Sequence, residues 1–315
     1  MISVVMSTYK EPIEYIEQSI NSILNQTYRD IEFIIIVDNP DNAEHIEYIQ
    51  NRMSGDSRIK LSVNEKNCGL TESLNRAIAL ARGTFIARMD ADDIAEVDRL
   101  ECQLAYLIEN DLDLVGCNMR DMDENGNIIQ GAITRYPTLD GVIKNYLKTN
   151  SAVPHPTWLV RKSVYLESGF YCDFPACEDY EFLTRIAIDG KRLGNVCEPK
   201  LRYRINSAGI SCSKRVSQKT SLYYVRKNYL LQKKSNLVDF QKFLLSEEGK
   251  RKQEGLRRYY EQSDKLKSFR RSKKRLAFIV WGVWMFINLK EGRTVIANWL
   301  RERILQLRNR KHYYI

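Results

Sequence analysis

Apolar residues follow two alternating rhythms along the first ninety positions. Apolar-rich runs at 2–6, 31–37, 59–63 and 84–89 predict short strands, and 31–37 is nearly continuous, as in a sheet covered on both faces. Between them, apolar residues recur at helical spacing. Ile13, Ile16, Ile20, Ile23 and Leu24 mark a first helix, and Ile46, Ile49 and Met53 a second. Leu74, Ile78 and Ala81 mark a third, with a capped start expected near Thr71 and Glu72. The β-α-β-α-β-α-β order predicts an α/β chain with a mostly parallel, doubly wound sheet. Ligands of such sheets bind beyond the carboxyl ends of the strands. Those ends carry Ser7-Thr8-Tyr9, Asp38-Asn39 and Asp90-Ala91-Asp92-Asp93.

Charge divides the chain in two. The 315 residues have a net charge of +9, yet residues 213–315 hold 27 Lys and Arg against 8 Asp and Glu. That segment is therefore +19 and residues 1–212 are −10. An acidic body of 1–212 joined to a basic helical extension of 213–315 is the expected domain plan, and the extension suits an anionic partner. Within it, the basic run 270–275 precedes a 14-residue apolar run, 276–289, containing Trp281 and Trp284; Trp299 lies in a second block, 295–300. Fourteen residues fall short of the roughly 20 that a spanning helix needs. The expectation is a segment lying in the bilayer surface, the alternative a helix packed on the body or on a second copy. The amino terminus lacks the basic start of a secretory signal. Seven cysteines without a C-x-x-C pair read as reduced packing residues of a cytosolic protein.

Candidate chemistry sits at the strand ends. No G-x-G-x-x-G follows the first strand and no P-loop is present, which counts against dinucleotide cofactors and P-loop NTPases. Asp90, Asp92 and Asp93 repel one another unless a cation compensates them, and an all-oxygen set favours magnesium or manganese. The same residues also read as a solvated acidic turn or a helix cap. Asp38 can accept from a base N–H or a ribose hydroxyl, or can simply serve its turn. Tyr9 can stack on a base, or be an ordinary loop aromatic. Glu178 and Asp179 suit a helix start as well as acid–base chemistry. His155, between Pro154 and Pro156, is expected on an extended loop, with an active-site contact and a loop hydrogen bond both open. His45 falls on the polar side of its helix and receives no role.

The ordered blocks resemble family 2 glycosyltransferases of the GT-A fold. They are Ser3-Val4-Val5-Met6-Ser7-Thr8-Tyr9, the segment from Ser19 to Tyr28, Ile34-Ile35-Ile36-Val37-Asp38 and Asn67-Cys68-Gly69-Leu70. Leu74-Asn75-Arg76-Ala77, Ala81-Arg82-Gly83, Asp90-Ala91-Asp92-Asp93 and the segment from Pro175 to Phe182 continue the match. The subgroup that it resembles builds bacterial O-antigen, capsular and exopolysaccharide units. The resemblance implies that Thr8, Tyr9 and Asp38 hold a uracil ring, that Glu11 touches the ribose, and that Arg82 supports the nucleotide site. Asp90 would meet ribose or sugar, and Asp92 the metal bridging the diphosphate, with Asp93 beside them. Asp179 would be the general base next to Glu178. His155, Arg204 and Lys214 are candidate acceptor or diphosphate contacts. Asn206 stands where many members carry a His, which weakens any His-assisted contact there.

The implied reaction is metal-dependent, inverting transfer from a UDP-sugar to a polyprenyl-diphosphate-linked saccharide. It would take place at the cytoplasmic face of a bacterial membrane, by a peripheral protein with no nucleic-acid partner. Competing classes are a nucleotidyltransferase of related fold and a non-catalytic nucleic-acid binder. The first predicts a Gly-rich basic loop where Ser7-Thr8-Tyr9-Lys10-Glu11 stands. The second leaves the acidic motifs unexplained.

Overall fold

The computed structural model describes residues 1–205, 215–271 and 275–294, together with 297, 300 and 304. Its first four strands are β1 (Ile2–Thr8), β2 (Ile31–Val37), β3 (Ile59–Val63) and β4 (Phe85–Asp90). Between them run α1 (Ile13–Leu24), α2 (Ala43–Gly55) and α3 (Leu70–Leu80). These strands are parallel and lie in the order β3-β2-β1-β4. The chain steps outward from β1 to β3, then returns past β1 to lay down β4. The direction therefore switches between β1 and β4, where a crevice opens beyond the strand ends. Ser7 sits opposite Asp90 in the register, so the two motifs flank that crevice.

Side-chain alternation sorts the central strands between two cores. Val5, Ile34 and Ile36 face one, Val4, Met6, Phe33 and Ile35 the other, and all are buried. Covering both faces removes the need for a polar side, which is why these runs are mainly apolar.

Beyond β4 the sheet becomes mixed. β5 (Ile94–Ala95), α4 (Arg99–Glu109), β6 (Leu114–Met122), β7 (Ile128–Thr134) and α5 (Asp140–Tyr146) come first. A 3-10 turn (His155–Thr157), β8 (Leu159–Arg161), α6 (Lys162–Ser168), α7 (Glu178–Ile188) and β9 (Leu193–Arg204) follow. β8 runs antiparallel to β4 and β6, while β9 runs parallel to β6. Long β9 ends beside the acidic loop that follows β4, which brings Arg204 to it.

The carboxyl-terminal helices are α8 (Arg215–Leu230), α9 (Leu237–Leu245), α10 (Glu247–Arg271) and α11 (Arg275–Asn288). The expected boundary at 212/213 lies outside the described residues. Helices α8 and α9 share the core of the sheet: Tyr224, Val225, Tyr229, Phe240 and Phe243 are buried in one cluster with Val5 and Ile34. Phe174, just ahead of α7, stacks on Tyr224 at 6.4 Å and meets Phe240 at 5.2 Å. The apolar run forms α11, which packs along α10. Its Met285 is buried, and Lys265 of α10 lies 4.4 Å over Trp281. The opposite face is bare, with Val280 59% and Ile287 60% exposed beside Val283, Trp284 and Phe286. No helix among the described residues is long and apolar enough to cross a membrane.

A buried polar clasp closes the amino ends of β1, β2 and β4. Glu32 accepts from Ser3 Oγ at 2.6 Å, from Arg82 N at 2.6 Å and from Arg82 Nε at 3.0 Å. Gly83 N donates to Ser3 Oγ at 2.8 Å. The backbones approach so closely that a Cβ on Gly83 would stand 2.7 Å from Ser3 N. Gly83→Ala should therefore lower stability by about 1–3 kcal/mol, the usual range for overpacking. The urea midpoint would fall at unchanged slope; an unchanged midpoint would show that the strands can part without loss.

Candidate active site

The turn after β1 is wound around one carboxylate. Thr8 Oγ1 donates to Glu11 Oε2 at 2.7 Å, and Tyr9 N and Lys10 N donate to the same oxygen at 2.7 and 3.1 Å. His45 completes the turn, contrary to its assignment to a polar face. It is buried, with Nδ1 3.2 Å from Thr8 Oγ1 and Nε2 2.9 Å from the Glu11 carbonyl. Position 45 lies one helical turn before buried Ile49, so the spacing did contain that signal.

Asp38 is also buried and largely used. Its Oδ1 accepts from Asn64 Nδ2 at 2.7 Å and Cys68 N at 2.8 Å, and its Oδ2 accepts from Gly69 N at 2.8 Å. Gly69, at φ +86°, is the N-cap of α3; the expected Thr71 cap is absent, and a backbone N–H on Asp38 takes its place. Arg76 Nη1 donates to Asn64 Oδ1 at 2.6 Å and props this loop. Asp38 thus shapes the 64–69 loop and keeps lone-pair capacity on Oδ2.

The loop after β4 is held from both sides. Ser19 Oγ donates to the Asp90 carbonyl at 2.9 Å. From β9, Arg204 N donates to Asp93 Oδ1 at 2.9 Å and Arg204 Nε to the Asp92 carbonyl at 2.8 Å. The remaining guanidinium nitrogens meet the Asp123 and Glu124 carbonyls and Gln18 Oε1, and the group lies 3.9 Å over the Tyr15 ring. Arg204 is therefore a buttress, which corrects its assignment as a diphosphate contact: its donors are spent inside the fold. Arg88, buried in β4 and two residues before Asp90, pairs with the Asp90 carboxylate. The motif reading missed it; a cation inside an otherwise apolar strand was the available signal.

Carboxylate oxygens of Asp90, Asp92 and Asp93 come within 4.8 Å of one another. Burial, then the charges of Asp90 and Glu11, push Asp92 up to about 7. Burial and its two neighbours push Asp93 well above the usual carboxylate range. Buried Asp93 Oδ2 has no hydrogen-bond partner. Converging hard oxygens, an orphaned one among them, fit a divalent cation.

A second acidic pair opens α7. Burial, then Asp179, pushes Glu178 up to about 7, and burial raises Asp179. Tyr180 N donates to Asp179 Oδ1 at 2.7 Å. Two residues earlier Ala176 has φ +50°, a left-handed conformation that costs a side-chain-bearing residue roughly 1–3 kcal/mol. Arg88 joins the two acidic centres, since it bonds Asp90 and its charge also favours the ionised form of Glu178.

His155 lies on the 3-10 turn and not on an extended loop, because Pro156 occupies a helical position there. Its Nε2 is 3.0 Å from Tyr171 Oη, which is 3.0 Å from Tyr165 Oη. Burial, then Arg88, holds it well below the usual imidazole range, so it is neutral near pH 7. Arg82 belongs to the Glu32 clasp. Seven residues of strand, at about 3.3 Å each, put the clasp roughly 20 Å from the crevice. That placement overturns its expected nucleotide contact. Lys214 and Asn206 lie outside the described residues.

Residues 3–169 match the model of glycosyl transferase family 2. The chain belongs to that family. It is a glycosyltransferase. The O-antigen biosynthesis glycosyltransferase WbnJ of Escherichia coli is 35% identical over 246 residues, covering 76% of this chain and 92% of that one. A second relative from that organism is the UDP-Glc:alpha-D-GlcNAc-diphosphoundecaprenol beta-1,3-glucosyltransferase WfgD. It is 28% identical over 218 residues, covering 68% and 81%. Among solved structures, S. aureus TarS 1-349 in complex with UDP-GlcNAc superposes with a TM-score of 0.60 at 18% identity, covering 78% of this chain and 71% of that one. The glycosyltransferase thus has a mixed α/β, GT-A-like fold with added carboxyl-terminal helices.

The acidic loop has a measurable consequence. A carboxylate whose folded-state pKa is raised stabilises the fold at low pH and loses that effect as pH rises through the raised value. With chelator present, the melting temperature should fall between pH 6 and 8. Asp92→Asn should raise the pH 8 value by a few degrees. No change would mean that Asp92 is relieved of its neighbours' charge.

Proposed function

We propose that this glycosyltransferase moves a sugar from a UDP-sugar to a lipid-linked saccharide in surface-polysaccharide assembly, with inversion at the anomeric carbon. The observation that carries this is the pairing of two acidic centres across Arg88, one at the end of β4 and one at the start of α7. The first suits a nucleotide diphosphate with its cation, the second an acceptor hydroxyl. UDP-GlcNAc bound to TarS supports the donor class, and the names of WbnJ and WfgD support the pathway and the lipid diphosphate acceptor.

Thr8, Tyr9, Glu11 and Asp38 frame the nucleoside, with Asp38 offering its remaining Oδ2 capacity to a base N–H. Asp90, Asp92 and Asp93 would hold magnesium or manganese. When bound, such an ion offsets charge on the departing diphosphate. Asp179 takes the proton as the acceptor oxygen bonds to the sugar C1 and the bond to UDP breaks. With Asp179 acting as base and no covalent sugar–protein bond formed, the single displacement inverts the centre. Glu178, raised by burial, keeps the α7 start from holding two full charges at neutral pH. The body to residue 212 is the catalytic part. The +19 extension, with the bare face of α11, holds the protein peripherally on an anionic membrane.

Three measurements test this reading. Screening UDP-sugars should find one whose UDP release needs the divalent ion, and Asp92→Asn should abolish it; full activity in excess chelator removes the metal assignment. Asp179→Asn should cut transfer by about 10²–10⁴-fold with UDP-sugar affinity little changed. In the parent, transfer should rise with pH along an acidic limb displaced upward from ordinary carboxylates, because the raised group must ionise to act. Near-parent rates for Asp179→Asn would move the base to Glu178. Finally, Val283→Asp with Ile287→Asp, both at exposed positions, should weaken binding to anionic vesicles; undiminished binding would leave α11 without a membrane role.

A further inference from the structure

A cavity of about 280 Å³ lies between the loop entering α7 and helices α8, α9 and α10. Pro175 forms one wall, three residues before Glu178. Val216, Phe240 and Leu244 make the apolar lining, and Gln253 and Arg257 reach it from α10. Thr220 also borders it, but its hydroxyl donates to the Val216 carbonyl at 2.7 Å. Ser217 of α8 borders it as well, and Gln253 Nε2 donates to the Leu244 carbonyl at 3.3 Å, so the cationic part of the lining is Arg257. Arg257 is exposed and, among the described residues, has no ion-pair partner. The same holds for Lys219 of α8, whose charge reaches the Cys177 thiol beside Glu178.

Whole-ligand pockets usually run to roughly 300–1,000 Å³. This one is at the small end and suits part of a larger molecule. An apolar wall with Arg257 on it and Lys219 next to the bordering Thr220, neither cation ion-paired among the described residues, fits an amphiphile with an anionic head. Helix α10 separates the cavity from α11. Gln253 and Arg257, one turn apart, face the cavity, whereas Lys252 bonds Glu291 at 2.6 Å on the α11 side. The cavity is thus distinct from the bare face of α11.

We propose that this cavity receives the prenyl-diphosphate end of the acceptor, with the first isoprenoid carbons against Val216, Phe240 and Leu244 and the diphosphate between Arg257 and Lys219. The inference rests on the lipid-linked acceptor proposed above. A sugar joined to that diphosphate lies toward Glu178 and Asp179. The cavity would then act as a ruler, fixing how far from the lipid the reacting hydroxyl sits. Linking the two ends in one molecule raises the effective concentration of the sugar at the base.

Calorimetry on the full chain tests this, with farnesyl diphosphate below its micelle concentration, UDP saturating the donor crevice and no donor sugar. Farnesyl diphosphate should bind, with farnesol and inorganic pyrophosphate each at least about tenfold weaker, since each supplies half of the recognition. Arg257→Glu, at an exposed position, and Leu244→Trp, which fills the cavity, should each weaken farnesyl diphosphate by about tenfold or more with UDP affinity unchanged. Pyrophosphate binding as tightly as farnesyl diphosphate would overturn the proposal in favour of a plain anion patch. Unaltered farnesyl diphosphate affinity in Arg257→Glu would place the ligand elsewhere. Should Leu244→Trp not fold, Arg257→Glu and the three-ligand comparison decide alone. A chain that binds farnesyl diphosphate but never UDP refutes the donor reading and not this one.

Discussion

Like charge confined at the end of β4 is the constraint around which the rest is arranged. Two unit charges 4 Å apart interact by about 4 kcal/mol at an effective dielectric near 20. Asp90, Asp92 and Asp93 lie at such spacing, with Glu11 close enough to add to the repulsion. The fold answers with directed contacts. Arg88 meets Asp90 from within the sheet, Arg204 ties down Asp92 and Asp93 from β9, and Ser19 holds the Asp90 carbonyl from α1. None of these groups covers Asp93 Oδ2. The strands and helices that supply them span nearly the whole body, so the loop is a product of the complete topology and not of its own sequence.

The carboxyl-terminal helices belong to the same physical object. Phe174 is clamped by Tyr224 and Phe240, and it precedes Glu178 by only four residues. The aromatic cluster of α8 and α9 therefore sets the path by which the chain enters α7. Glu181 and Arg185 act from the other side: Arg185 bonds Glu181 at 3.0 Å and the Gly169 and Phe170 carbonyls at 3.0 and 2.8 Å. The two carboxylates at this helix start need such support, because the preceding loop has no ladder of its own.

Legibility in the sequence followed the range of the interaction. Strand β2 could be read to the residue, because burial on both faces writes itself as an apolar run broken only by Glu32. The crevice at the β1–β4 switch followed from element order alone. Contacts between distant segments were not legible. Arg204 looked like a free cation, since nothing near it in the chain shows that Asp92, Asp123 and Gln18 converge on it. Arg82 shared a motif with site residues yet points into the clasp at the far end. His45 was set aside because its partners, Thr8 and Glu11, lie at the end of β1 and in the turn after it, far from α2 in the chain. The mixed half of the sheet, from β5 to β9, has strands as short as two residues, too brief for periodicity to register.

The N-terminus of α3 lies beside the crevice, where backbone N–H groups of many proteins cradle phosphate. Here Gly69 N and Cys68 N are committed to Asp38, so the positive end of that helix is neutralised within the fold. What faces the crevice is mainly acidic, with Arg88 sunk beneath Asp90. On the donor reading proposed above, such a mouth would filter by sign. It would turn away a bare anion and admit one escorted by a multivalent cation. Selectivity among phosphorylated molecules would then begin with which of them travel as ion complexes, before any base or sugar is inspected.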